Sequence, residues 1–177
     1  LRRMLRRYTV ESFLDVVERV RAAVPDISIT TDVIVAFPGE TEEEFEDTLE
    51  VMRAVRFDDA FTYRYSPRDG TPATRLPEGD FIDGAVAQHR LERLIDVSRT
   101  IQREINEAEV GRVEEILIEK EGRDPGFLLG RTRRAKAVVV PGDLSEIGGY
   151  LDVRLTRTTG ATFVGERVPA EVPAGVA

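Results

Sequence analysis

Cysteine is absent from the 177 residues and histidine occurs once, as His89. Thiolate chemistry, disulfides and cysteine-held metals are therefore beyond the chain's own side chains, and no nucleophile is paired with a base. Two short stretches remain that could meet a ligand. One is the corner AFPGET, residues 36–41, where an apolar run ends in Pro38-Gly39 and meets the acidic run Glu40 to Asp47. The other is GRTRRAK, 130–136, with Arg131, Arg133, Arg134 and Lys136 within six residues.

Each stretch has a plain alternative. A strand end, a glycine turn and a helix start are where α/β folds bind ligands, but Pro38, Gly39 and Thr41 would equally make a tight connection and nothing more. The glutamates after Thr41 would repel a phosphate, which leaves them as a solvated helix face, with Glu40 free to accept from a ligand. The basic stretch suits phosphate neutralisation, or is an ordinary charged turn whose field Glu114, Glu115 and Glu119 could cancel. Phe127, Tyr150 and Phe163 are placed either to stack on bases or to fill a core. His89 reads as a surface or packing residue, away from both stretches.

The elements that must position these groups follow from periodicity. Thr9 is an N-cap, and Phe13, Leu14, Val17, Val20 and Val24 recur at helical spacing until Pro25. ISITTDVIVAF, rich in β-branched residues, predicts a buried parallel strand. Thr41 with Glu44 three residues on is a capping box, and the helix it opens turns Phe45, Leu49, Val51, Met52 and Val55 toward a core. FDDAFTYRYS predicts the next strand, and the α-β-α-β order predicts parallel pairing. A helix from about Ala85 to Glu109 carries Leu91, Leu94, Ile95, Ile101 and Ile105 as a stripe.

After Gly111 the pattern changes to five short strands, RVEEILIEKE, GFLLGRT, AKAVVVPG, YLDVRLTRT and ATFVGERV, which predict a small closed barrel. The expected division is therefore 1–82 α/β, 83–110 a connecting helix, 111–168 a barrel and 169–177 a disordered tail. Net charge is -8 at pH 7. Residues 110–168 hold ten Lys and Arg against nine Asp and Glu, so the surplus acid lies elsewhere and excludes indiscriminate nucleic-acid binding by the whole chain. No apolar run approaches a membrane span and LRRMLRRYT lacks a signal-peptide core, so a cytoplasmic protein without membrane contact is expected.

TDVIVAFPGETEEEFEDTLE, FDDAFTYRYSPRDGTPA, RLERLIDVSRTIQREINEAEVGR and GRTRRAKAVVVPG, in that order, resemble the last part of the radical-SAM methylthiotransferases, from Leu1 to about Val168. The resemblance implies an α/β fold that is the C-terminal portion of a radical-SAM, partial TIM-like barrel, followed by a small all-β TRAM barrel. It implies the branch that adds a methylthio group to C2 of N6-dimethylallyladenosine next to the tRNA anticodon, with the anticodon stem-loop as partner. Its cofactors would be S-adenosylmethionine and two 4Fe-4S clusters. By the same resemblance Asp32, Ile34, Ala36, Tyr65 and Ser66 would lie against S-adenosylmethionine, and Arg131, Arg133, Arg134 and Lys136 against RNA.

Two positions depart from the family pattern: Ala36 stands where Gly is usual, and Ala135 where the GRT-x-x-N-K signature has Asn. The CxxxCxxC cluster loop would lie upstream of Leu1, so the chain is expected to be an inactive piece of the enzyme, with no catalytic residue and no metal ligand of its own. Its uncovered α/β part is expected to self-associate. A methylthiotransferase acting on an aspartate of a ribosomal protein and a non-catalytic RNA-binding module are the alternatives, and the basic stretch favours tRNA over the former.

Overall fold

The structure, a computed structural model, describes residues 1–169; the expected disordered tail lies outside these apart from Pro169. Two compact units share the chain, Leu1–Ile101 and the residues from Gln102 onward. The division falls inside one helix, so the last two turns of the expected connecting segment group with the barrel.

The first unit follows the expected order: helix α1 (Val10–Ala23), strand β1 (Thr30–Val35), helix α2 (Glu42–Val55), strand β2 (Asp59–Arg64) and the beginning of α3 (Gly84–Glu109). Capping boxes start both short helices, Thr9 with Ser12 and Thr41 with Glu44, satisfying amide groups that the first turn leaves open. β1 and β2 pair in parallel, Asp32 opposite Phe61 and Ile34 opposite Tyr63. Val17, Val35, Ala36, Phe45, Leu49, Met52, Val55, Phe57, Ala87, Leu94 and Ile101 form the buried apolar set. β1 was expected to be buried, yet its residues alternate, and Ile34 is 41% exposed. Among the described residues this sheet has two strands, and the face that carries Asp32 and Ile34 is left exposed.

In the second unit β3 (Val113–Glu121), β4 (Phe127–Thr132), β5 (Ala137–Pro141), β6 (Tyr150–Thr158) and β7 (Thr162–Arg167) close into a barrel in the order β3-β4-β5-β7-β6. All pairs are antiparallel except β5 with β7. Ile116, Ile118, Leu128, Val138, Val140, Val153, Leu155 and Phe163 fill it. Phe163 is therefore a core residue, whereas Tyr150 is 66% exposed. Gly130 packs where a Cβ would meet the Leu117 carbonyl oxygen at 2.7 Å, so the glycine of GRT is required by close strand contact.

Candidate ligand face and nucleic-acid interface

Strand alternation brings one set of the expected residues together. In parallel register Asp32 and Ile34 share a face with Phe61 and Tyr63, and this is the uncovered face, with Phe61 58% and Tyr63 50% exposed. The two aromatics are not among the expected contacts; the alternation of Phe61, Tyr63 and Tyr65 with the small or polar Ala60, Thr62 and Arg64 is the sequence signal that places them on this face. At the strand ends Ala36 is buried and Ser66 exposed. The Tyr65 ring lies edge-on to Phe37 at 5.1 Å and near Phe81 at 6.4 Å, and its amide donates to the Val35 carbonyl at 2.9 Å. The Tyr65 hydroxyl is buried without a hydrogen-bond partner among the described residues. Such a group is costly unless something completes it.

The corner itself is held by a charge network. Ala36 adopts a left-handed backbone, φ 58°, and its N–H donates to Glu40 Oε2 at 2.8 Å. The same carboxylate oxygen accepts from Arg90 Nη1 at 2.8 Å, and Arg90, only 5% exposed, also donates to the Glu40 carbonyl at 3.0 Å. Arg90 and Arg93 then bind Glu42 at 3.1 and 2.6 Å, Arg93 also pairs with Glu46, and both guanidinium groups lie over the Phe45 ring. The expected solvated acidic face is thus half a salt-bridge network, and α3 reaches the corner through Arg90, while His89 is exposed. Opposite charges at helical spacing, Glu42 and Glu46 against Arg90 and Arg93, were the legible hint. The Arg93 hydrogen bond, aided by Arg90, holds the Glu42 carboxyl below the usual carboxylate range.

The barrel's basic stretch is neutralised from within. Arg131 pairs with Glu119 at 3.1 Å and Arg133 with Glu115 at 2.8 Å. Arg134 binds Glu109 through two nitrogens at 2.8 and 2.9 Å and Glu114 at 3.0 Å. Lys136, 8% exposed, donates to Asn106 Oδ1 at 2.8 Å and lies 3.1 Å from Glu109 Oε1. Asn106 in turn donates to the Gly160 carbonyl. Burial works against the Arg134 charge, but Glu109 and Glu114 outweigh it and hold its pKa above the ordinary value. Arg134 and Lys136 thereby clasp the end of α3 to the barrel, leaving Arg133 and Arg131 as the solvent-facing cations of the stretch, with side chains 82% and 47% exposed.

The turn carrying them is a three-residue hairpin loop: Ala135 N–H donates to the Thr132 carbonyl, Thr132 N–H to the Lys136 carbonyl, and Ala135 is left-handed with φ 60°. Both departures from the family pattern fall at positive φ. Gly and Asn are the residues that adopt this conformation most readily, which gives their preference at 36 and 135 a backbone cause independent of any ligand.

A short parallel α/β segment with an open strand face, joined through a helix to a five-stranded barrel, defines a radical-SAM portion followed by a TRAM domain. The models of the Radical SAM superfamily and of the TRAM domain match residues 1–52 and 107–172. The chain belongs to the radical-SAM methylthiotransferase family. It is 46% identical over 95% of its length to the tRNA-2-methylthio-N(6)-dimethylallyladenosine synthase of Thermoanaerobacter sp. (strain X514), covering 36% of that protein. Proteins of the same description from Moorella thermoacetica and Paracoccus denitrificans are 46% and 43% identical over 93% of the chain, which covers 37% and 36% of them. The chain thus spans little more than a third of the length of these curated relatives. Among the described residues no helix is long and apolar enough to cross a membrane.

Proposed function

We propose that the chain is the part of a tRNA methylthiotransferase that walls one side of the S-adenosylmethionine site and carries the tRNA-binding barrel, in an enzyme that adds a methylthio group to C2 of N6-dimethylallyladenosine beside the anticodon. The observation that carries this is the 46% identity that extends over 95% of the chain, through both units. The open face fits an adenosyl group: Phe61 and Tyr63 offer rings for stacking and Asp32 a carboxylate for a cation. S-adenosylmethionine would supply a deoxyadenosyl radical and the methyl group, while these residues bind and orient it and shield it from water.

The iron-sulfur clusters do not fit this chain. Clusters are held by cysteine thiolates, and the sequence has none, so no step is assigned to its residues through a cluster and the chain alone is inactive. On the barrel, Arg131 and Arg133 are the solvent-facing candidates for RNA phosphate, with Arg134 and Lys136 supporting the turn that presents them. The test is to express the complete gene product in a host lacking the modification and to analyse its tRNA nucleosides by mass spectrometry. Appearance of the methylthio nucleoside is expected; its absence, from an enzyme shown to contain its clusters, defeats the assignment.

A further inference from the structure

The RNA-binding role proposed for the protein raises the question of where further cations are available, since Arg131 and Arg133 of the barrel turn, though solvent-facing, are each already met by a carboxylate. They are available in LRRMLRRY. Leu5 N–H donates to the Arg2 carbonyl at 3.0 Å and Arg6 N–H to the Leu1 carbonyl at 2.9 Å, with Leu5 left-handed at φ 58°. These two bonds close a helical turn in the pattern usually completed by glycine. Arg3, itself exposed, is paired with Glu44 and lies against Gly39, which fastens the turn beside the corner that ends β1.

Arg2, Arg6 and Arg7 are exposed, and their guanidinium groups make no hydrogen bond or ion pair with the described residues. They contrast with Arg90, Arg93, Arg131, Arg133 and Arg134, each of which is met by a carboxylate. Leu5, 72% exposed, and Tyr8, 47% exposed, stand among them. A leucine held in a disfavoured backbone conformation with its side chain in water costs stability and returns none through burial, a combination typical of surfaces built to meet something else.

We infer that the turn from Arg2 to Tyr8 is an RNA-contact surface, in which Arg2, Arg6 and Arg7 neutralise phosphates of a loop or single strand and Leu5 and Tyr8 offer apolar contact to its unstacked bases. The inference rests on the RNA reading of the protein. RNA is favoured over a protein surface because three guanidiniums within six residues, unpaired among the described residues, suit phosphate oxygens, and over a membrane because the stretch carries only three exposed large apolar side chains, Leu1, Leu5 and Tyr8.

The experiment titrates labelled anticodon stem-loop RNA with the full 177-residue chain over a series of salt concentrations. The substitution Arg2→Ala/Arg6→Ala/Arg7→Ala is compared with a control of equal charge change, Arg19→Ala/Arg53→Ala/Arg103→Ala, also exposed. With about 0.7 unit of log-log salt slope per phosphate on single-stranded RNA, the triple variant is expected to lose roughly 2 units of slope and at least about tenfold in affinity at low salt. The control keeps its slope. Arg2→Lys/Arg6→Lys/Arg7→Lys is expected to recover most of the slope, since point charges suffice for counterion release. If the wild type binds with salt-dependent affinity and the triple variant matches the control, this surface assignment is overturned while RNA binding stands. No salt-dependent binding by the wild type overturns both. Unchanged RNA binding together with lost binding to phosphatidylserine vesicles overturns it in favour of a membrane surface.

Discussion

Lys136 Nζ donates to Asn106 Oδ1 across 2.8 Å, joining the last turns of α3 to a barrel turn thirty residues on. A lysine in a basic signature thus spends its charge on the protein. Its neighbour Arg134 does the same through Glu109 and Glu114. Replacing Lys136 by Met leaves a buried amide oxygen without its donor and costs about 1–3 kcal/mol. Thermal denaturation should show the loss, while RNA binding measured well below the melting temperature keeps its salt slope. Arg133→Ala should do the reverse, lowering the slope with a melting temperature within experimental scatter. A Lys136→Met protein as stable as wild type refutes the clasp.

Ala36 and Ala135 should each be improvable. A left-handed backbone costs a non-glycine residue about 1–2 kcal/mol, partly offset by the entropy glycine loses on folding. Ala36→Gly and Ala135→Gly are therefore expected to stabilise by about 0.5–1 kcal/mol each, and Ala135→Asn by somewhat less. Denaturant melts decide it; destabilisation by either glycine contradicts the backbone account.

Arg90 is expected to be the most sensitive charge in the first unit. Arg90→Ala would leave the Glu40 carboxylate, 11% exposed, facing only the Ala36 amide, and removing one partner of a buried pair costs about 3–5 kcal/mol. Adding Glu40→Gln should recover part of the loss. If the double variant is no more stable than Arg90→Ala, the pair is not coupled in this way.

The glutamates of α2 give the first unit an acid limit. Glu42, through Arg93, and Glu44, through the Thr41 amide and then Arg3, have folded pKa values below their ordinary ones. A depressed carboxylate stabilises fully above the unfolded value, about 4.3, and that contribution disappears as pH falls through the lower folded value. Stability should therefore decline below about pH 4–5, and Arg93→Met should flatten the decline. An unchanged pH profile in Arg93→Met would show that its ion pairs are energetically idle, as exposed pairs often are.

Ile34, Phe61 and Tyr63 leave an apolar strand face in water. The isolated chain is expected to self-associate through it, because two unpaired strand edges and an uncovered face invite pairing. Light scattering over a concentration series should show mass rising with concentration, and Phe61→Ser/Tyr63→Ser should suppress the rise. A wild type that stays monomeric throughout would end the idea.

Much of this molecule is local and was legible as residue order. Thr9 and Thr41 announce their helices because a cap needs only a hydroxyl and a partner three residues on. β3 to β7 announce themselves because alternation and turn residues are short-range signals, and the four ordered motifs were sufficient to suggest the family. What tertiary structure alone decided is which charges are free and which face is bare. Arg134 and Arg7 look alike in a sequence, yet Arg134 meets Glu109 and Glu114, twenty-five and twenty positions away, and Arg7 meets no carboxylate among the described residues. Charge belongs to the residue, but its neutralisation depends on approach to within about 3 Å of a partner brought near by folding. For the same reason the sequence marked Ile34 as strand-forming, while only the two-strand sheet left it exposed.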